Sequence, residues 1–461
     1  MIPLSVSDIV AAVHGRPAGV ALDLVVSDVT TDSRAVPAGS IFVALRGDQH
    51  DGHDHIRHAL EAGAVAVLAE RRIDDVPTVL VDDTWQAIAD LAGHVRDRVD
   101  PLVVGITGSV GKTTTKDLTG AALSADRRTV AARGSFNNEV GVPLTLLRLV
   151  PDDRALVVEM GARGIGHIAD LARYVKPDIG IVTAVAGVHL ELFGTIDDIT
   201  VAKGELVEGL PAGGAAVLNV DDARVASMAG RTAARVLRVS AVGAADADVV
   251  ASAIALDELA RPTFTAHTPW GNATARLSVA GRHQVDNALL ALAAAGHAGV
   301  DIAAAAAALE AADISSWRGE IVEVAGARIL NDAYNANPTS TRAALDTLVA
   351  LEVPGRRFAV LGVMAEIGEA ADEEHRGVGA YAHEVGIDRL VVVGEEAIGL
   401  ADGARDAGMP AERIVVVDDA DQAIAAIEDL TEGDALLVKA SRVAALEAVA
   451  AAARKRLENL P

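Results

Sequence analysis

The stretch Val103-Val104-Gly105-Ile106-Thr107-Gly108-Ser109-Val110-Gly111-Lys112-Thr113-Thr114-Thr115-Lys116-Asp117 decides how this chain folds. An apolar run of strand length meets a glycine-rich turn, then a Gly-Lys-Thr step that opens a helical pattern. A phosphate needs closely spaced backbone N–H groups, and glycine permits them because it has no Cβ. It also needs a cation at its β/γ oxygens and a hydroxyl for Mg²⁺. Gly108, Gly111, Lys112 and Thr113 supply those parts, and the helix start adds free N–H groups and its dipole. The general loop pattern has a glycine five residues before the Gly-Lys pair, where this chain has Ile106, so Thr107-Gly108-Ser109-Val110-Gly111-Lys112-Thr113-Thr114 is a variant loop. A strand–helix turn that binds nothing is the alternative. Gly-Lys-Thr-Thr directly behind a buried-looking strand argues for the phosphate.

Downstream the pattern alternates strand and helix, as in a parallel doubly wound sheet. Ala155–Glu159, Asp178–Ala184 and Ala215–Val220 read as strands, and 166–175 and 196–210 as helices. Such sheets bind ligands outside the carboxyl ends of their strands, where Glu159 falls. A carboxylate there holds Mg²⁺ directly or through water, or simply faces solvent. Residues 249–280 read as an antiparallel addition turning at Pro269-Trp270-Gly271-Asn272. Gly281-Arg282-His283-Gln284-Val285-Asp286-Asn287 then opens an alanine-rich helix. Gln284 and Asn287 share one face at its start, where amides suit either an adenine edge or a helix cap.

Asp100-Pro101 and Ser315-Ser316 divide the chain into 1–100, 101–316 and 317–461. In the first part Ser5 or Ser7 is expected to cap a helix reaching Val13, 21–29 to form a strand, and Thr84 to cap a helix through Val99. Ser33 and Arg34 lie in a loop beside a strand. That placing fits a phosphate contact or a capped turn with a solvated charge, and the residues alone favour the turn. His53 and His55 flank Asp54, a spacing that fits surface histidines better than a metal site. In the last part the polar run Asn331-Asp332-Ala333-Tyr334-Asn335-Ala336-Asn337-Pro338-Thr339-Ser340 precedes a helix, and strand–helix alternation continues to the end. The fold class expected is α/β in three domains: mixed α/β at the N-terminus, a central P-loop parallel sheet, and a Rossmann-like C-terminal domain without a glycine fingerprint.

A length of 461 residues suits about three domains. The net charge of −25 argues against a nucleic-acid surface, which needs a clustered basic patch, but leaves room for a locally positive pocket. With no cysteine there is no disulfide framework, thiol nucleophile or cysteine-ligated zinc, which fits a cytoplasmic protein. Met1-Ile2-Pro3-Leu4-Ser5 lacks a basic region ahead of an apolar core, so no signal peptide is expected. The alanine-rich stretch after Asp301 is too short and too interrupted to span a bilayer, so no membrane insertion is expected.

Taken together, these segments resemble the Mur ligases, the ATP-dependent enzymes that build the peptide of bacterial cell-wall precursors. The variant loop is similar to the family's own P-loop. Asn137-Asn138-Glu139-Val140-Gly141-Val142-Pro143 resembles its following substrate and ATP segment. Glu159 matches the family's Mg²⁺ acid, His189 its metal-binding histidine, and Lys203, fourteen positions later, the lysine that members carbamylate. Gln284 stands where the family usually has Asn, and with Asn287 resembles the adenine contact. Arg318 resembles the arginine that reaches the ATP phosphates, and Asp332 the acid near the ribose.

Within the family, Asp332–Pro338, Leu361–Gly368 and Val438-Lys439-Ala440-Ser441-Arg442 resemble members that join D-alanyl-D-alanine to UDP-N-acetylmuramoyl-tripeptide, except that Ala440 replaces an expected glycine. The Asp-Asn-Pro-Arg signature of members that add diaminopimelate is not found. The resemblance implies that Asn138, Tyr334, Asn335, Asn337, Lys439, Ser441 and Arg442 meet the substrates. It also turns Ser33, Arg34, Arg46 and His53 toward a uridine-nucleotide role. It further implies ATP and Mg²⁺ as cofactors, Lys112, His189, Lys203 and Arg318 as catalytic groups, and metal contacts from Thr113, Glu159, His189 and carbamylated Lys203. A monomer whose domains close on the substrates is expected. The rivals are a ligase adding the third peptide residue, a folylpolyglutamate-type ligase, a non-catalytic ATP-binding regulator and a P-loop motor. A regulator would be expected to lack Lys112, Glu159, His189 or Lys203, and all four are present.

Overall fold

The computed structural model describes every residue except Asp48, His189, Leu460 and Pro461. At its centre is a nine-stranded sheet. The P-loop strand Leu102–Thr107 lies between Ala155–Glu159 and Ile179–Val182, parallel to both, with Glu159 opposite Ile106 and Val182 opposite Thr107. The chain leaves the P-loop strand toward one edge, through Ala155–Glu159 and Thr129–Ala131. It later returns to the strand's other side and runs to the opposite edge. The order therefore reverses at the P-loop strand, the place where such sheets open a crevice at their carboxyl ends. These strands are buried on both faces, and accordingly read as continuous apolar runs. The expected antiparallel addition is present as Pro262–Thr268 paired with Gly271–Arg276 at the far edge.

One face of the sheet is covered by the helices Lys112–Ser124 and Gln284–His297. The second is buried around almost its whole circumference. Its run of alanines lets it sit close against its neighbours, which is how a chain with 2% aromatic residues fills its core. The other face shares a core with the N-terminal part: Ile88, Leu91 and Val95 of the helix Thr84–Val99 pack with Val103, Leu156 and Val158.

The N-terminal part has a five-stranded sheet ordered Arg16–Ala18, Thr78–Leu80, Ala66–Ala69, Ser40–Val43, Asp28–Thr30. Two local expectations need correction. The strand at 21–29 is instead Val25–Val26, paired with Leu4–Ser5, and a separate Asp28–Thr30, because the chain turns from one partner to another at Ser27. Thr84 is the first helical residue rather than the cap. Asp83 caps through its carboxylate, which accepts from the N–H groups of Trp85 and Gln86, while Thr84 donates to Glu70. The C-terminal part carries a six-stranded sheet, parallel apart from the hairpin Glu320–Val324 with Ala327–Asn331. No described helix is long and apolar enough to cross a membrane.

Candidate active site

The P-loop is shaped by its two glycines. Gly108 has φ +149° and Gly111 has φ +82°, a left-handed geometry that ends directly in the helix beginning at Lys112. A Cβ on Gly108 would overlap Thr183 Oγ1, and one on Gly111 would lie 2.5 Å from Asn287 Oδ1. The loop is braced from the neighbouring strand end: Ser109 N–H donates to Ala184 O at 2.7 Å and Thr183 Oγ1 donates to Val110 O at 2.5 Å. Thr107 is buried at the strand end and donates to Met160 O.

Lys112 bends back over the loop, its Nζ 2.8 Å from Gly108 O. Burial lowers its pKa, opposed by the Glu159 carboxylate and reinforced by Arg318. Glu159 is buried and accepts from Thr113 Oγ1 at 2.8 Å and Asn137 Nδ2 at 2.7 Å. A hydroxyl and a carboxylate thus meet at the strand end beside the loop. Lys203 comes from the helix Ile196–Glu208 and is 3% exposed. Burial, then the charge of Lys112, brings its ammonium down to about 7. At neutral pH it therefore holds a large fraction of free amine. The next residue, Gly204, leaves room for Arg231, whose guanidinium donates to Thr200 O at 3.1 Å and Val201 O at 3.0 Å on the same helix; a side chain at 204 would overlap it.

At the start of the helix Gln284–His297, Asn287 Nδ2 donates to Gln284 Oε1 at 2.7 Å and Asn287 Oδ1 accepts from Thr115 at 3.1 Å. These amides do not cap the helix. They face the P-loop. From the C-terminal part, Arg318 stacks on Tyr334 at 4.0 Å, with its buried Nε lacking a partner among the described residues. Tyr334 hydroxyl meets Ser135, which joins the central and C-terminal parts. Lys439 is buried, its Nζ 2.6 Å from Asp332 and 2.8 Å from Asn335 O. Ser441 Oγ accepts from Ala365 N–H, and Asn337 caps the helix Pro338–Ala350. Arg442 pairs with Glu447 and lies over Trp317.

One cavity of about 710 Å³ collects these groups. Ser109 to Thr114, Asn137, Asn138, Glu159, Lys203, Gln284, Asn287, Arg318, Asp332, Tyr334, Asn335, Asn337, Lys439, Ser441 and Arg442 all line it. In a chain of charge −25 its lining sets the cations Lys112, Arg163, Arg318, Lys439 and Arg442 among the carboxylates Glu139, Glu159, Asp286, Asp332 and Glu366, so it offers cationic contacts for an anion beside hard oxygen donors for a metal ion. The first-domain residues lie elsewhere. Ser33 is buried, Arg34 is exposed and paired with Asp32 at 2.8 Å, and Arg46 is exposed. His53 is buried with both ring nitrogens engaged, Nδ1 with Asp51 at 2.6 Å and Nε2 with Glu70 N–H at 3.1 Å. His189 lies outside the described residues. Sequence reasoning missed Arg163, Thr183, Asn219, Asp286 and Glu366 in the lining. Of these, Thr183 and Asn219 sit at or just beyond parallel strand ends, a position that could have marked them.

A central P-loop sheet joined to a second parallel sheet, with a buried lysine and a strand-end acid facing the loop between them, defines a class, and the chain belongs to the Mur ligase family. Its residues 25–95 match the model of the Mur ligase family catalytic domain, 106–295 that of the Mur ligase middle domain, and 317–442 that of the Mur ligase glutamate ligase domain. Among its relatives, the UDP-N-acetylmuramoyl-tripeptide–D-alanyl-D-alanine ligase of Mycobacterium tuberculosis (strain ATCC 25618 / H37Rv) is 42% identical, over 98% of this chain and 97% of that protein. The enzyme of the same name from Escherichia coli (strain K12) is 35% identical over 97% and 98%. The crystal structure of MurF from Acinetobacter baumannii superposes with a TM-score of 0.89 at 29% identity, over 98% of this chain and 99% of that one. MurF ligase from Thermotoga maritima in complex with ADP gives 0.80 at 29% identity, over 94% and 98%.

Proposed function

We infer that the chain is an ATP-dependent ligase that joins D-alanyl-D-alanine to UDP-N-acetylmuramoyl-tripeptide, giving ADP and phosphate, in the synthesis of peptidoglycan precursors. The observation that carries the reading is the single cavity where the P-loop and Lys203 face Arg318 and the 332–337 and 439–442 segments. Relatives named for this reaction match along nearly the whole chain.

An amine does not displace the oxygen of a carboxylate at neutral pH. The tripeptide carboxylate therefore attacks the γ-phosphorus of ATP, the bond to ADP breaks, and an acyl phosphate forms. The dipeptide amine attacks the acyl carbon, gives a tetrahedral oxyanion, loses a proton and expels phosphate. Both steps gather negative charge, so fixed cations do most of the work. Lys112 lies at the loop and neutralises the β/γ oxygens. Arg318, held flat on Tyr334 with its Nε unpartnered among the described residues, donates to the phosphoryl group in transfer. Thr107 to Thr114 cradle the phosphates, Asn137, Gln284 and Asn287 line the nucleotide's path, and Asp332 faces the ribose. Thr113 Oγ1 and Glu159 Oε2 are 2.8 Å apart, hard oxygen donors that fit Mg²⁺. When bound, Mg²⁺ supplies charge neutralisation across the phosphates. Among the described residues no three His, Asp or Glu side chains converge on a point, which fits an ion completed by phosphate and water. His189 and Lys203 are assigned to a second Mg²⁺. Lys203 as an ammonium would repel such an ion, and its neutral amine adds to CO₂ with loss of a proton, which would put an oxygen-bearing anion in its place.

The nucleotide end of the UDP substrate is assigned to residues 1–100, with Ser33, Arg34, Arg46 and His53. ATP is assigned to 101–316. The dipeptide is assigned chiefly to 317–461, with Asn138, Tyr334, Asn335, Asn337, Lys439, Ser441 and Arg442 reading the peptide ends. A monomer acting in the cytoplasm completes the reading. The test is phosphate release from ATP with UDP-N-acetylmuramoyl-tripeptide, with and without D-alanyl-D-alanine. Release that needs the dipeptide is expected. Release without it, or supported equally by a diamino acid with the UDP-dipeptide, would overturn the assignment.

A further inference from the structure

Behind the P-loop, on the side of its helix away from Asn287, lies a cluster that the mechanism above does not use. Lys116 is fully buried, and Asp117 beside it has a side chain only 8% exposed. Their charged groups are 2.8 Å apart. Nearby groups use both partners further. Lys116 Nζ donates to Ala132 O at 2.6 Å and to Gly134 O at 2.7 Å. Asp117 Oδ2 accepts the backbone N–H of Ser315 at 2.9 Å. Burial raises the Asp117 pKa, which Lys116 opposes.

These bonds reach the two segments that frame the cavity. The carbonyls at 132 and 134 begin the loop that presents Ser135 to Tyr334 and Asn137 to Glu159. Ser315 begins the link between the central and C-terminal parts, three residues before Arg318. Trp317 in that link has φ +61°, rare for a bulky side chain, and its ring lies under the Arg442 guanidinium at 4.8 Å. A link in that conformation must be held from outside, and Asp117 provides the hold on its central side. A cavity of about 650 Å³ runs along the same helix face beneath it, so packing alone does not fix the link.

We propose that Lys116 and Asp117 are positioning residues of the ligase: they tie the P-loop helix to the 132–138 loop and the 315–318 link, so that Asn137 and Arg318 stand in register with the phosphates held by the loop. The proposal rests on the ligase reading only for its turnover readout. Replacing the pair by apolar groups of similar size, Lys116→Met with Asp117→Leu, leaves no orphaned charge and is expected to preserve folding. The double variant should keep a thermal midpoint within a few degrees of the parent and bind ADP within about threefold. It should lose at least about tenfold in kcat for phosphate release with little change in KM for ATP, as misplaced groups do. Trp317 emission, read with Trp85 and Trp270 replaced by Phe in parent and variant, should respond to ADP in the parent and not in the variant. Ser315→Pro removes the N–H that Asp117 accepts together with the hydroxyl beside Lys116, and should reproduce the kcat loss should the double variant fail to fold, whereas Ser315→Ala, which removes the hydroxyl alone, should not. Unchanged kcat in a folded variant, or kcat and ADP affinity falling together, would overturn the proposal. A parent that releases no phosphate but shows the Trp317 response, with the variant lacking it, would sink the ligase reading and leave the positioning role standing.

Discussion

Replacing Lys203 by methionine is expected to make the protein inactive and more stable. An unfolded lysine titrates near 10.5, and the folded one is brought to about 7 by burial and by Lys112. Between those values the unfolded chain holds a proton that the folded chain has released, so stability rises with pH across that window. Below about 7 both states are protonated and the penalty is full; above 10.5 both are neutral and it is gone. The difference corresponds to about 4 kcal/mol at pH 7 and under about 1 kcal/mol at pH 10. Methionine has nearly the same length and no charge to bury. For a unit the size of the central part, 1 kcal/mol moves the midpoint by about 2–4 °C, so the variant should melt roughly 10 °C higher at pH 7. The assay is thermal unfolding of parent and variant in CO₂-free buffer without divalent ions, at pH 7 and pH 10. Groups remote from Lys203 titrate alike in both proteins and cancel, while Lys112 loses the repulsion of Lys203 in the variant, which adds to the gap in the same direction. A variant that melts below the parent at pH 7, or a gap that does not shrink by pH 10, would refute the reasoning.

Lys112→Ala should abolish phosphate release, and retained turnover would remove the loop from the mechanism. Gly111→Ala puts a Cβ at 2.5 Å from Asn287 Oδ1 on a backbone at φ +82°, so it should cost about 1–3 kcal/mol of stability and at least tenfold in ADP affinity by titration. Arg34→Ala removes an exposed guanidinium paired, among the described residues, only with Asp32, so the midpoint should move by less than about 1 °C, while KM for the UDP substrate rises several-fold and KM for ATP stays put. Small-angle scattering should show compaction when nucleotide and UDP substrate are added together; none would count against domain closure.

Much of the central part was legible because parallel strands buried on both faces leave continuous apolar runs, and 155–159 stands at its expected place. Glu159 was legible for the same reason, since the end of such a strand has a known relation to the crevice. Lys203 was not legible from its own neighbourhood: a lysine on an amphipathic helix reads as solvated, and only the likeness to a family singled it out. Lys116 escaped altogether. Its acceptors are at 132 and 134 and its carboxylate neighbour holds Ser315, so nothing local marks it as buried. Thr84 and Asp83 show the same limit at small scale. Both are good caps, and the choice between them was made by Glu70, fourteen residues earlier, which takes the threonine hydroxyl.

Gly204 carries a consequence for how this sequence can vary. Glycine inside a helix is a poor choice by roughly 1 kcal/mol against alanine, and nothing in its backbone angles demands it. It is there because the Arg231 guanidinium occupies the space a side chain would take, bonded to the carbonyls one turn before. Any replacement displaces Arg231 from the helix that carries Lys203. A library covering every substitution across 196–208 should therefore show its narrowest tolerance at adjacent positions for unrelated reasons: at 203 because of an amine, and at 204 because of an absence.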